Sequence, residues 1–276
     1  MTQKMIEMSS RSRFTSKLAG VAAVAAVALG FAFSPSAPAR AEGGEAHLKH
    51  VDWSFEGPFG TYDRSALRRG YKVYKEVCST CHSMDLVHFR NLGEPGGPEF
   101  TTAEVKAIAA EYKVQDGPDQ AGDMYERPGE GKDPFPSPYP NEEAAAASLG
   151  AAPPDLSLVV KAREGGADYV YSLLTSYQDA PADVHVPAGG HYNPVFAAGS
   201  GIIAMPQPIS DGQVDYEDGT PNTLDQMAKD VTEFLMWAAE PKLEQRHRLG
   251  LQVAIYLIAL AGILYFATRK VWSDQH

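Results

Sequence analysis

Leu67-Arg68-Arg69-Gly70-Tyr71-Lys72-Val73-Tyr74-Lys75-Glu76-Val77-Cys78-Ser79-Thr80-Cys81-His82 is the stretch on which the fold turns. Leu67, Tyr71, Tyr74 and Val77 recur at helical spacing and predict one apolar face, with Asp63 or Ser65 upstream to cap the helix. That helix delivers Cys78. Cys78 to His82 reads C-x-x-C-H, the haem c attachment pattern. Two thiols three positions apart can each form a thioether with one vinyl group of the same porphyrin, and the next residue places an imidazole under the iron. One motif implies one haem c.

Two other readings of the pair are weaker. A thioredoxin-like C-x-x-C belongs in an early βαβ unit, and no such pattern is present. A zinc site needs a second Cys/His pair at ligand spacing. Cys78 and Cys81 are the only cysteines, and His185 and His191 are the only other close histidines. The sixth iron ligand is open at this level. Met205, in the apolar run Gly201-Ile202-Ile203-Ala204-Met205-Pro206, is favoured, with His185 or His191 as alternatives. Met84 is too close to His82 to reach the opposite haem face. Met227 and Met236 read as core, and Met124 sits in an acidic loop.

The two ends set the topology. Lys4, Arg11, Arg13 and Lys17 precede an apolar run, Leu18 to Phe33, and Ala39-Arg40-Ala41 is a small-x-small cleavage pattern. Residues 1–41 therefore read as a secretory signal, with a first transmembrane helix or a mitochondrial presequence as the alternatives. Leu249 to Thr268 carries no charge in 20 residues, the length of a membrane-crossing helix, with Arg246 and Arg248 before it and Arg269 and Lys270 after. Residues 42–248 are expected to be exported, 249–268 to span the membrane and 269–276 to remain cytoplasmic. The chain carries 24 basic and 35 acidic residues; removing residues 1–41 leaves 19 and 34, a formal charge of −15. Phosphate binding needs a basic face, so the acidic balance argues against nucleic acid as a partner. A basic protein partner is favoured.

Between the ends the pattern is mainly helical with long loops. Residues 42–62 read as an irregular arm. Helices are expected at Thr101–Tyr112 and Ala167–Tyr177, and after Asn222 or Thr223, where Leu224, Met227, Ala228, Val231, Phe234, Leu235 and Ala238 form a stripe. Residues 115–141 and 178–221 read as loops, and no strand alternation stands out.

The assembled motifs resemble the cytochrome c1 family over nearly all of residues 60–272. The resemblance is carried by Arg68 to Tyr71 through Cys78 to Met84, and by Val114-Gln115-Asp116-Gly117-Pro118 and Pro136-Ser137-Pro138-Tyr139-Pro140-Asn141. It continues through Pro153-Pro154-Asp155-Leu156-Ser157, Gly165-Gly166-Ala167-Asp168-Tyr169, Tyr216-Glu217-Asp218-Gly219-Thr220 and Trp237-Ala238-Ala239-Glu240-Pro241. It implies a mainly α, cytochrome c-like haem domain with long loops, plus one C-terminal transmembrane helix. It implies His82 and Met205 as axial ligands, Arg163 and Tyr169 near a haem propionate, and Pro153, Pro154 and Leu156 in the pocket wall. Met205 is followed by Pro-Gln-Pro where mitochondrial relatives have Ala-Pro-Pro, and the short leader looks bacterial. The implied role is electron transfer in a membrane-bound, dimeric quinol–cytochrome c reductase: from the Rieske iron–sulfur subunit, beside cytochrome b, to a soluble cytochrome c. Another membrane-anchored mono-haem carrier or oxidase subunit, and a haem-based gas sensor, are the alternatives. Co-purification with cytochrome b and a Rieske protein, and carbon monoxide binding to the reduced protein, respectively tell them apart.

Overall fold

Asp63 starts the first helix. In the computed structural model, which describes residues 47–273, its carboxylate accepts hydrogen bonds from the backbone N–H groups of Ser65 and Ala66, and α1 runs Arg64–Glu76. The signal segment expected at 1–41 lies outside the described residues. Thr101 and Glu104 cap one another's backbone to open α2 (Thr102–Ala110). There follow β1 (Lys113–Asp116), β2 (Tyr125–Pro128), α3 (Glu142–Leu149), α4 (Gly166–Thr175), β3 (His191–Tyr192), β4 (Ile202–Ile203), α5 (Leu224–Ala239) and α6 (Leu243–Ser273). The mainly helical class expected from the sequence is the observed one.

Two local elements go beyond the sequence reading. Residues 113–128 form an antiparallel hairpin, with Lys113 opposite Pro128 and Asp116 opposite Tyr125. Its strands are four residues long and largely exposed, so no apolar alternation announces them. Helix α3, just beyond the 115–141 loop, is an element for which the sequence pattern gave no expectation; Asn141 caps its start and Gly150, at φ +81°, its end.

Helices α1 and α5 form the central pair. Gly70 makes their crossing close: a Cβ there would lie 2.1 Å from the Asp230 carbonyl oxygen and 2.7 Å from the Phe234 Cβ. Gly70→Ala is expected to force the two helices apart. Overpacking costs about 1–3 kcal/mol and occasionally more; with a backbone carbonyl as the obstacle, the upper end applies. A thermal melt followed in the haem absorbance would read the drop.

The α5 stripe is buried as expected, Leu224 only partly, but so are Asp230, Thr232 and Glu233 between its members. Asp230 accepts from Arg69 Nε at 2.9 Å and Nη2 at 3.0 Å, and from Gln226 Nε2 at 3.0 Å. Glu233 accepts from the Asp63 N–H at 2.9 Å and from the Ser54 hydroxyl. Buried charge is tolerable here because each carboxylate is hydrogen-bonded.

An aromatic cluster fills the space between α1, α5 and the loops. Phe135 lies 4.8 Å from Phe89 and 5.7 Å from Tyr74 between ring centres, and Phe234 lies 5.8 Å from Tyr74 and 5.4 Å from Trp237. Such pairs add about 0.5–1.5 kcal/mol each beyond area burial. The arm before α1 is irregular, as expected, and is tied to α4. Trp53 Nε1 donates to Asp168 at 2.7 Å, and the Lys49 N–H donates to Ser172 Oγ at 2.8 Å.

Helix α6 is 31 residues long, about 46 Å at 1.5 Å per residue. Among the described residues it is the one helix long and apolar enough to cross a membrane. Its first turns belong to the domain. Leu243 is buried, Glu244 accepts from Arg64 at 2.6 and 2.9 Å and from the Tyr62 N–H at 2.9 Å, and His247 Nδ1 lies 3.1 Å from the Gly60 carbonyl. From Leu249 onward the large apolar side chains stand exposed.

Candidate haem-attachment site

Helix α1 ends at Glu76, and Cys78–Thr80 form a single 3-10 turn after Val77. The cysteines thus follow a helix. The turn is fixed by its own polar groups: the Cys81 and His82 N–H groups donate to the Cys78 carbonyl at 3.2 and 2.9 Å, Ser79 Oγ donates to the Lys75 carbonyl and Thr80 Oγ1 to that of Val77, both at 2.7 Å. Cys78 and Cys81 are free, half-buried thiols. Burial, with Cys81 beside it, pushes the Cys78 thiol up to about 12. A redox thiol of the thioredoxin kind is shifted the opposite way, toward the thiolate.

His82 Nδ1 lies 2.8 Å from the Pro154 carbonyl oxygen. A carbonyl can only accept, so Nδ1 carries the proton and Nε2 keeps its lone pair. Burial holds the His82 pKa below the ordinary imidazole value, so the ring is neutral at pH 7. A neutral imidazole, oriented through one nitrogen by a carbonyl and open at the other, is the arrangement a metal-bound histidine uses. Two thiols and this imidazole on one turn fit the group the motif implies.

The Pro154 carbonyl is itself held. Residues 83–86 are zipped to residues 155–157: Ser83 Oγ and the Asp85 N–H donate to Asp155 Oδ2 at 2.8 and 2.9 Å, the Leu156 N–H donates to the Ser83 carbonyl at 2.9 Å, and the Leu86 N–H donates to Ser157 Oγ at 3.1 Å. The Ser157 N–H donates to Asp155 Oδ1 at 2.8 Å. Burial would raise the Asp155 pKa, but the hydrogen bonds from Ser157, Asp85 and Ser83 outweigh it and hold the carboxyl below its usual range. Sequence reasoning gave Asp155 no role; Ser83 and Asp85 lie 72 and 70 residues before it, and no local pattern joins them to it.

The other expected residues are placed as follows. Leu156 is buried in the core cluster, Pro153 is half-buried and Pro154 exposed. Arg163 is exposed at the entrance to α4; burial raises the pKa of Tyr169, and the Arg163 charge is near enough to oppose that. Met205, half-buried, stands two residues beyond β4. That strand pairs with β3, Ile203 opposite His191 and Ile202 opposite Tyr192. The loop is tied to the end of α4 by Tyr177, whose hydroxyl donates to the Met205 carbonyl at 3.0 Å, and by Asn193, whose Nδ2 donates to the Leu173 carbonyl at 2.7 Å. His185 is exposed. Met84, Met227 and Met236 are buried in the core, and Met124 is exposed.

A small helical domain with this donor set, continued into one apolar helix, defines a membrane-anchored protein of the c-type haem class. The Cytochrome C1 family model matches residues 53–275. The chain is 50% identical over 275 residues to "Cytochrome b/c1" of Bradyrhizobium diazoefficiens, covering 92% of this chain and 40% of that longer protein. It is 47% identical over 272 residues to "Cytochrome c1, heme protein, mitochondrial" of Saccharomyces cerevisiae, covering 96% of this chain and 86% of that one. It is 48% identical over 247 residues to "Cytochrome c1-2, heme protein, mitochondrial" of Solanum tuberosum, covering 89% and 92%. The chain belongs to the cytochrome c1 family.

Proposed function

We propose that this chain carries one covalent haem c as the electron-transfer subunit of a quinol–cytochrome c reductase, with Cys78 and Cys81 as the thioether residues and His82 and Met205 as the axial ligands. The observation that carries the reading is the His82–Pro154 hydrogen bond, which readies Nε2 one residue after the second cysteine. Haem c held by these residues would supply one-electron chemistry between a Rieske iron–sulfur subunit and a soluble cytochrome c. The residues of the chain bind, orient and shield. Arg163 suits a propionate carboxylate by charge and by its planar fork. Tyr169, Pro153, Pro154 and Leu156 supply wall. The chain is an electron carrier, and bond chemistry belongs to the complex.

Family membership and the apolar segments near the two ends of the chain support the following reading of the surrounding assembly. Cytochrome b and a Rieske protein are the partners in the membrane, in a dimeric complex. Residues 1–41 export residues 42–248 to the periplasmic side of a bacterial inner membrane, residues 249–268 stop transfer, and the tail stays cytoplasmic. Isolating the detergent-extracted complex and identifying its subunits tests this; a haem chain recovered without cytochrome b and a Rieske protein would favour a separate shuttle.

Met205→Leu is expected to lower the reduction potential, since a thioether ligand raises it, and to open the reduced haem to carbon monoxide. A redox titration with an unchanged midpoint and spectrum would move the ligand elsewhere.

A basic acceptor suits the acidic surface, but the structure narrows which acids are free to steer it. Arg127 clasps Asp116 and Asp133, Lys113 lies 3.5 Å from Glu126, and Lys132 lies 3.1 Å from Glu130. Glu142 and Glu143 stand exposed in the first turn of α3. Electron transfer to a basic cytochrome c is expected to slow as salt shortens the Debye length to about 10 Å and below. Glu142→Gln with Glu143→Gln is expected to flatten that dependence. A steep salt dependence kept by the double variant would place the docking patch elsewhere.

A further inference from the structure

We propose that Asp155 is a positioning residue for the proximal ligand: its carboxylate locks the 83–86 and 155–157 segments together, and so sets how strongly the Pro154 carbonyl polarises His82. This rests on the reading of His82 as an iron ligand.

Pro153 and Pro154 have no N–H to donate, so neither can tie this stretch to its neighbours through its own backbone nitrogen. Pro154 is exposed, and packing alone does not pin it. The restraint comes from the next residue. Asp155 uses both oxygens: Oδ2 receives Ser83 Oγ and the Asp85 N–H, and Oδ1 receives the Ser157 N–H. Ser83 is bonded to the His82 side of the site and Ser157 to the Pro154 side, so one carboxylate spans both partners of the 2.8 Å His82–Pro154 bond. The Leu156-to-Ser83 backbone bond closes the same ladder. Hydrogen bonds to an ionised acceptor are about twice as strong as neutral ones, which suits a carboxylate here better than an amide. A well-placed carbonyl draws the Nδ1 proton and makes Nε2 a better donor to the metal. Such donation favours ferric iron, so loosening it raises the reduction potential.

The test uses the intact, haem-loaded complex. The reduced form is stripped of its distal ligand by a short laser flash, and the iron–histidine stretching band is read by resonance Raman. Asp155→Ala, which removes all three acceptor contacts, is expected to lower that frequency. It should also raise the midpoint by up to roughly tenfold in the one-electron equilibrium, about 59 mV. Asp155→Asn keeps one accepting oxygen and must turn an amide toward donors; it is expected to shift the band in the same direction by less. If Asp155→Ala does not accumulate, Asp155→Asn carries the test alone. A variant that retains haem with the band at its parent frequency overturns the proposal. So does a raised potential with an unmoved band, which would make Asp155 only a nearby negative charge. If the parent complex itself gives no iron–histidine band, the fault lies with the assignment of His82.

Discussion

Cys78→Ala combined with Cys81→Ala is expected to leave no haem on the chain after denaturing electrophoresis. Thioethers survive denaturation, whereas axial coordination by His82 and a distal ligand does not, so the stain reports attachment alone. Both thiols sit on the same short turn, braced by the Ser79 and Thr80 hydroxyls. Each single variant should therefore keep one thioether and stain. The double variant should also lose much of its folded population. A ligand that binds only the native state stabilises by mass action, and an untethered haem is free to leave. Full haem staining of the double variant rejects these cysteines as the attachment site.

A stop codon before Leu249 is expected to convert the membrane protein into a water-soluble haem domain, recovered in the soluble fraction after salt washing. The structure specifies where the cut must fall. Leu243, Glu244 and His247 are part of the domain, with Glu244 engaging Arg64 through both guanidinium nitrogens. Ending the chain at Arg248 keeps these contacts and removes only the exposed apolar length. Ending it before Leu243 uncovers the core and strips the half-buried Arg64 of its main carboxylate partner. The second product should melt lower than the first. A product of the first cut that stays with washed membranes would show that α6 is not the sole anchor.

These outcomes rest on features of unequal legibility. The C-x-x-C-H run, the α1 face and the α5 stripe are local patterns, and local patterns survive in a single sequence. The polar members of α5 are another matter: Asp230 and Glu233 look like solvent-facing residues until Arg69, Gln226, Ser54 and Asp63 are brought against them. Asp155 is the same case at the haem site, since its meaning depends on residues that the fold, rather than the order of the chain, makes neighbours. The 113–128 hairpin escaped because both its faces are polar, and α3 because Ala144 to Ala147 present no stripe, although its Asn and Gly caps were there to read. Met205 was singled out by its apolar run and by resemblance; nothing in the spacing alone separates it from His185 or His191.

The junction at Leu243–His247 has a mechanical consequence. A chain hung from its anchor by a loose peptide could swing; here five residues of continuous helix, about 7.5 Å long, are bolted to the domain by an apolar plug and a two-pronged ion pair. The membrane helix and the domain therefore turn as one lever. A change in the tilt of α6 would therefore be carried to the turn bearing Cys78 to His82, and would not be absorbed at the joint.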